Sequence, residues 1–224
     1  MSASHRVRET LKTFYAALML GRRPNDVRYV FMVGDSQDNI AEAARCGGEI
    51  RDPFTTDAEL ERMWQERYCP ERYDVDAMLG LPETTLGGSY ARHMKKFDLR
   101  PDFYDEVSAR HKLHYLRLRI RQTHDVWHVI AGYDTSHFGE VGLQGFYLGQ
   151  FTNGQSVIIG AGAMLKHLVL ARFGELERCA EAFCEGYSNG RRARSLLAVK
   201  WEQLWDQPIE VLRGRYGIAA ARQN

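Results

Sequence analysis

Cysteine is scarce in this chain, and the four present, Cys46, Cys69, Cys179 and Cys184, form no CxxC pair and no disulfide-like framework. That spacing argues against a disulfide-stapled secreted domain. With no signal-peptide pattern at the start, it sets the expectation of a reducing, cytoplasmic setting. Charge of one sign is lacking too. A net charge of +1 excludes the broad basic surface of a general nucleic-acid binder. Long hydrophobic runs are missing: the longest, Val157 to Leu170, is interrupted by Lys166 and His167. At about 14 residues it falls short of the ~20 needed to span a bilayer. The expectation is therefore a protein soluble in the cytoplasm or peripheral to the inner membrane. Strand signals, internal repeats, low-complexity tracts and linkers are absent as well.

What is there is ordinary globular composition, 44% hydrophobic and 26% charged. A length of 224 residues suits one large domain, or at most two small ones, with a substantial core. Apolar periodicity predicts helices at 6–20, ended by Gly21-Arg22-Arg23-Pro24, and at 38–45, stopped by Gly47-Gly48. Thr56-Asp57-Ala58-Glu59 reads as a capping box opening a helix to about Tyr68. A turn over Leu81–Tyr90 feeds a helix through Phe97. Further helices are predicted at 103–131, 139–151, 155–172, 175–187, 191–205 and 209–216. The fold class expected is all-α: a single domain over 1–224 with about eight to ten helices.

The most chemical stretch is His124-Asp125-Val126-Trp127-His128, with Glu140 after eleven intervening residues. On a helix, His124 and His128 lie one turn apart on one face. Asp125 sits about 100° round from His124 and about 60° from His128, so a metal can lie between all three. Gly132 supplies the helix stop, and Asp134-Thr135-Ser136 a turn that places Glu140 in the first turn of the next helix, aimed back at the pair. Two imidazoles and two carboxylates suit zinc, manganese or ferrous iron. The site is thus expected between a long central helix and the helix that follows it.

Helical plotting puts Leu113, Leu116, Ile120, His124 and Trp127 in one narrow arc facing the core, with His128 beside it. A lone histidine there reads most simply as a hydrogen-bonded core residue; the whole constellation reads as metal ligands. Arg117 and Arg121 precede the metal face by two turns and one turn. Their forks match a carboxylate or phosphate, so they are candidates to hold an anionic substrate group; pairing of Arg121 with Asp125 is the plainer alternative. The run Val157–Leu165 reads as a central buried helix, or as the lining of a hydrocarbon channel. Gly190-Arg191-Arg192-Ala193-Arg194 reads as a solvated helix start, or as a contact for anionic lipid.

Taken together, these residues resemble the family of the fourth Coq protein of ubiquinone biosynthesis. The likeness rests on His124-Asp125-x-x-His128 with Glu140, on Trp127, Gly132-Tyr133 and Gly139, and on Leu81-Pro82-x-x-Thr85-Leu86-Gly87-x-x-Tyr90. Gly190-Arg191-x-Ala193-x-x-Leu196 and Trp201-Glu202 extend it, while the first 70 residues carry little that matches. The resemblance implies a helical fold and a divalent metal, usually taken as zinc, at His124, Asp125, His128 and Glu140. It implies removal of the C1 ring carboxylate from a polyprenylated hydroxybenzoate, with a hydroxyl replacing it in oxidative versions. The implied partners are the prenylated aromatic lipid substrate, a membrane surface bound peripherally and other quinone-biosynthesis enzymes; a homodimer is a further expectation, and the near-zero net charge sets the expectation of no nucleic acid. Two competing readings are a non-catalytic lipid-binding scaffold and a phosphohydrolase of the HD type, which needs a further aspartate ligand such as Asp206.

Overall fold

The computed structural model describes residues 3–22, 28, 32, 53–101, 109, 111–152 and 154–221. Among them are ten α-helices and no strand: α1 (Ala3–Arg22), α2 (Pro53–Thr56), α3 (Ala58–Gln65), α4 (Val75–Met78), α5 (Leu86–Lys96), α6 (Lys112–Ala131), α7 (His137–Gln150), α8 (Gly154–Val169), α9 (Phe173–Arg192) and α10 (Ile209–Tyr216). A 3₁₀ turn, Trp201–Gln203, precedes α10. The expected helix at 38–45 lies outside the described residues.

Helix ends follow local chemistry, not always the predicted one. Asp57, not Thr56, caps α3, its carboxylate accepting from the Glu59 and Leu60 amides at 3.1 Å. Thr56 instead closes the preceding turn. The long helix begins at Lys112, where His111 turns extended and its Nδ1 accepts the His114 amide at 3.3 Å; residues 103–108 and 110 of the expected span lie outside the described residues. The predicted helix at 191–205 does not form. The Leu196 amide donates to the Gln150 side chain and the Arg194 amide to the Tyr216 carbonyl, both at 2.8 Å, so this backbone finds tertiary partners instead of helical ones. The preceding helix runs on to Arg192, which makes the basic cluster a helix end, not a start. Arg191 and Arg192 there favour the negative end of the dipole.

Helices α7 and α9 pack with their backbones nearly touching. A Cβ on Gly145 would overlap the Phe183 carbonyl, one on Gly186 the Gly142 carbonyl, and one on Gly190 the Phe146 carbonyl. Only glycine permits that approach, which is why it is spaced along both helices despite its entropic cost. The run at 157–165 is not central: Val157 and Leu165 are exposed, while Ser156, Gly160 and Ala163 form the buried side of α8. Its apolar residues outnumber the neighbours that cover them among the described residues.

The main core joins Trp127 and Ile130 of α6 to Phe146 and Tyr147 of α7, Tyr90 and Met94 of α5, and Trp201 and Leu212 near the C-terminus. Position 85–90 is braced against the C-terminal segment, with the Leu86 amide on the Gln207 carbonyl at 2.9 Å and the Gly87 amide on the Trp205 carbonyl at 2.8 Å. Arg213 reaches the Ile130 and Val129 carbonyls at 2.9 and 3.2 Å, satisfying the open end of α6 just beyond the histidines.

Candidate metal centre

Gly132 ends α6 in the left-handed conformation, φ 78°, and its amide bonds the His128 carbonyl at 2.9 Å. Asp134 then accepts the Ser136 amide at 3.0 Å, and Ser136 caps α7 by accepting the Gly139 amide at 3.2 Å. The turn expected at 134–136 is therefore present, and it brings Glu140, in the first turn of α7, back over the last turns of α6.

His128 Nε2 lies 3.2 Å from His124 Nε2 and 3.1 Å from Glu140 Oε1; His124 Nε2 is 3.9 Å from the same oxygen. These three ligand atoms form a group able to hold a metal ion. His128 is buried, and its Nδ1–H donates to the Tyr133 carbonyl at 2.9 Å. That bond orients Nε2 into the cluster, where a metal in place of its proton would meet the lone pair. His124 Nδ1 is 3.1 Å from the Tyr147 hydroxyl, and its ring lies parallel to that of Tyr147. Both imidazoles thus have the outward nitrogen engaged and the inward one free to converge.

Electrostatics bind the group together. Burial raises the Glu140 carboxyl, but the hydrogen bonds and charge of His124 and His128 outweigh it and hold the acid far below the ordinary carboxylate range. Burial lowers the His124 imidazole, and Glu140 more than offsets it, so the ring keeps a proton to higher pH than usual. A divalent cation would replace that proton and satisfy all three atoms at once.

Asp125 does not join this group in the structure. It is half-buried on α6, and its charge is felt at Tyr73, Tyr90 and His93 as well as at His124. Arg117 and Arg121 are half-buried on α6, two turns and one turn before His124. Asp206 is exposed in the turn before α10 and is not among the clustered ligands.

Two residues escaped the sequence reading. His93 of α5 stacks on His128 with ring centroids 5.7 Å apart, and its Nε2 is buried without a hydrogen-bond partner. Burial, then the charge of His128, pushes this imidazole down to about 4. Its signal was its place one turn after Tyr90, on the face that meets α6. Arg119 is the second: at 2% exposure it pairs with Glu202 at 2.8 Å, lies over the Tyr68 ring and donates to the Val199 carbonyl. Nothing local marks it out from Arg117 and Arg121; its partner lies 83 residues away. A cleft of about 770 Å³ lined by Pro53, Asp57, Gln150, Ser195 and Lys200, among others, shares no residue with the histidine cluster.

Fold and site together define an all-helical protein with two histidines and a carboxylate gathered at the junction of two successive helices. The family model described as Coenzyme Q (ubiquinone) biosynthesis protein Coq4 matches residues 7–222, and the chain belongs to that family. Among similar proteins, the mitochondrial COQ4 homologue of Rattus norvegicus is 32% identical over 179 residues, 76% of this chain and 64% of its own length. The Aedes aegypti mitochondrial homologue is 29% identical over 178 residues, 75% of this chain and 62% of its own. The chain thus spans a little under two thirds of the length of these curated relatives. The crystal structure of a Nostoc punctiforme protein that carries a provisional ubiquinone-biosynthesis name shares the fold, with a TM-score of 0.78 and 31% identity. That match covers 94% of this chain and 99% of the other. The family is described by its part in ubiquinone biosynthesis.

Proposed function

We propose that this chain binds zinc at His124, Asp125, His128 and Glu140 and removes the C1 carboxylate of a polyprenylated hydroxybenzoate. The observation that carries the reading is the convergence of three ligand atoms, separated by 3.1, 3.2 and 3.9 Å, with the His128 tautomer set by the Tyr133 carbonyl. Asp125, beside His124, is the proposed fourth ligand. The donor set also suits manganese or ferrous iron.

Zinc, when bound, supplies Lewis acidity toward a phenolic or carboxylate oxygen of the ring. The residues of the chain do the rest. Arg117 and Arg121 orient the carboxylate that departs. His128 is held in place by Tyr133, and His124 by Tyr147, so neither ring reorganises as charge develops. Breaking the C1–carboxylate bond releases carbon dioxide and leaves the electron pair on the ring, where a proton takes its place. Replacement by a hydroxyl is a net oxidation and needs dioxygen, with a redox-active metal, a readily oxidised ring or a partner enzyme to couple it.

The lipid tail and the membrane fit one end of the bundle. Leu168, Val169, Leu170 and Phe173 are exposed at the α8–α9 turn, Val169 by 74% and Phe173 by 64%, with Arg172 among them. Apolar side chains beside a cation suit peripheral docking on an anionic membrane. No helix among the described residues is long and apolar enough to cross one. The partners proposed are the prenylated aromatic lipid, that membrane, other quinone-pathway enzymes and a second copy of the chain.

The same patch favours a second reading, a lipid-binding scaffold whose metal is structural. Glu140→Ala separates the two. An enzyme loses turnover on a prenylated hydroxybenzoate, read by mass spectrometry, while staying folded; a scaffold loses stability or assembly in step with the metal.

A further inference from the structure

We propose a second metal site, built from His137, His167 and Cys179, that takes a thiophilic divalent cation, zinc by its chemistry, and staples α7, α8 and α9 together. His137 opens α7, His167 lies in the last turn of α8, and Cys179 sits in α9. Their ligand atoms all lie within 4.8 Å of one another. His137 Nε2 is 3.1 Å from His167 Nε2 and 3.6 Å from Cys179 Sγ.

Those separations match a coordination sphere. Zinc bonds of about 2.05 Å to nitrogen and about 2.3 Å to sulfur, in tetrahedral geometry, set two nitrogens about 3.3 Å apart and nitrogen and sulfur about 3.6 Å apart. Without a metal the three groups are poorly satisfied. Cys179 is fully buried and His167 is 5% exposed, so their ligand atoms are shielded from bulk water. Two neutral imidazoles facing through Nε2 offer one lone pair and one proton, and the thiol brings a second proton to the same lone pair. A cation in place of those protons satisfies nitrogen, nitrogen and sulfur at once.

The surroundings fit the ion. Glu175 lies one turn before Cys179 on α9 and its charge is felt at both His137 and Cys179, although its carboxylate is not among the clustered ligand atoms. Exposure of His137 leaves an entry path.

The need for a staple is legible in the packing. Among the described residues, Val141, Ala163 and Cys179 form a small cluster separate from the main core, and Val157, Leu165, Leu168 and Val169 of α8 are exposed. A thin core of that kind gains most from a cross-link. His137 also lies one turn before Glu140, so the ion would fix the start of the helix that carries a ligand of the first centre.

Cobalt(II) titration of the metal-free, reduced full-length protein tests this directly, because the first centre has no sulfur. The wild type is expected to show a near-ultraviolet thiolate-to-cobalt charge-transfer band. Cys179→Ser abolishes it, His137→Ala weakens cobalt binding at that band by at least about tenfold, and Glu140→Ala leaves it intact. No such band in the wild type, or undiminished bands in Cys179→Ser or His137→Ala, would overturn the site. His137 is exposed, so its variant keeps the test sound should Cys179→Ser not fold. Loss of the first centre alone leaves this result unchanged.

Discussion

Replacing Gly186 by alanine tests the packing that sets the candidate centre. The new methyl would overlap the Gly142 carbonyl oxygen, whereas ordinary contact begins at 3.4 Å. Relief requires α7 and α9 to part by roughly 1 Å along a shared stripe, and a gap of about that size forfeits a quarter to a half of each dispersion contact. Such overpacking belongs at or above the top of the usual range, about 3 kcal/mol. For a chain of this length that is a fall of about 6–12 °C in Tm. Gly162→Ala in α8 is the control, since nothing lies within 4 Å of its added methyl. There the better helix propensity of alanine should stabilise by about 0.5–1 kcal/mol. Urea unfolding of the two variants should therefore differ by roughly 4 kcal/mol. Equal stabilities would refute the close approach of the two backbones.

Two further outcomes follow from charges. Glu202→Gln leaves the buried Arg119 guanidinium uncompensated and should cost about 3–5 kcal/mol, while Arg119→Met with Glu202→Leu should recover most of it in the same denaturant assay; a single-variant loss under about 1 kcal/mol would contradict the pair's burial. In the metal-free protein, Glu140 contributes stability above its ordinary 4.5 and loses it as pH falls toward its depressed value. His124 contributes below its ordinary 6.5 and loses it as pH rises through its raised value. The stability difference between wild type and Glu140→Gln should thus peak between those two values. Zinc affinity should fall about tenfold per pH unit below the raised His124 value, where one proton competes; a pH-independent affinity would remove His124 from the ligand set.

The helical class and the frame of the candidate site were legible because their signals are local. Gly132 at a helix end, Ser136 as a cap and the one-turn spacing of His124 and His128 each act within a few residues. Features set by distant partners were not. Arg119 looks like its neighbours until Glu202 arrives from the C-terminal segment, and residues 193–200 carry helical periodicity whose amides are claimed by Gln150 and Tyr216. The run at 157–165 has the composition of an interior helix, yet sequence does not say how many neighbours will cover it. Asp125 shows the same limit. Its azimuth beside His128 suits the proposed fourth ligand, whereas the charge it exerts on Tyr90 and His93 of α5 depends on tertiary neighbours that sequence does not show.

Metal content and turnover, measured together on wild type and on Glu140→Ala, test the central claim most directly. The account predicts zinc at the first centre and carbon dioxide released from a prenylated hydroxybenzoate by the wild type. It predicts a folded Glu140→Ala that has lost both. Wild-type turnover that persists undiminished when His124, Asp125, His128 and Glu140 are all replaced by alanine would contradict it.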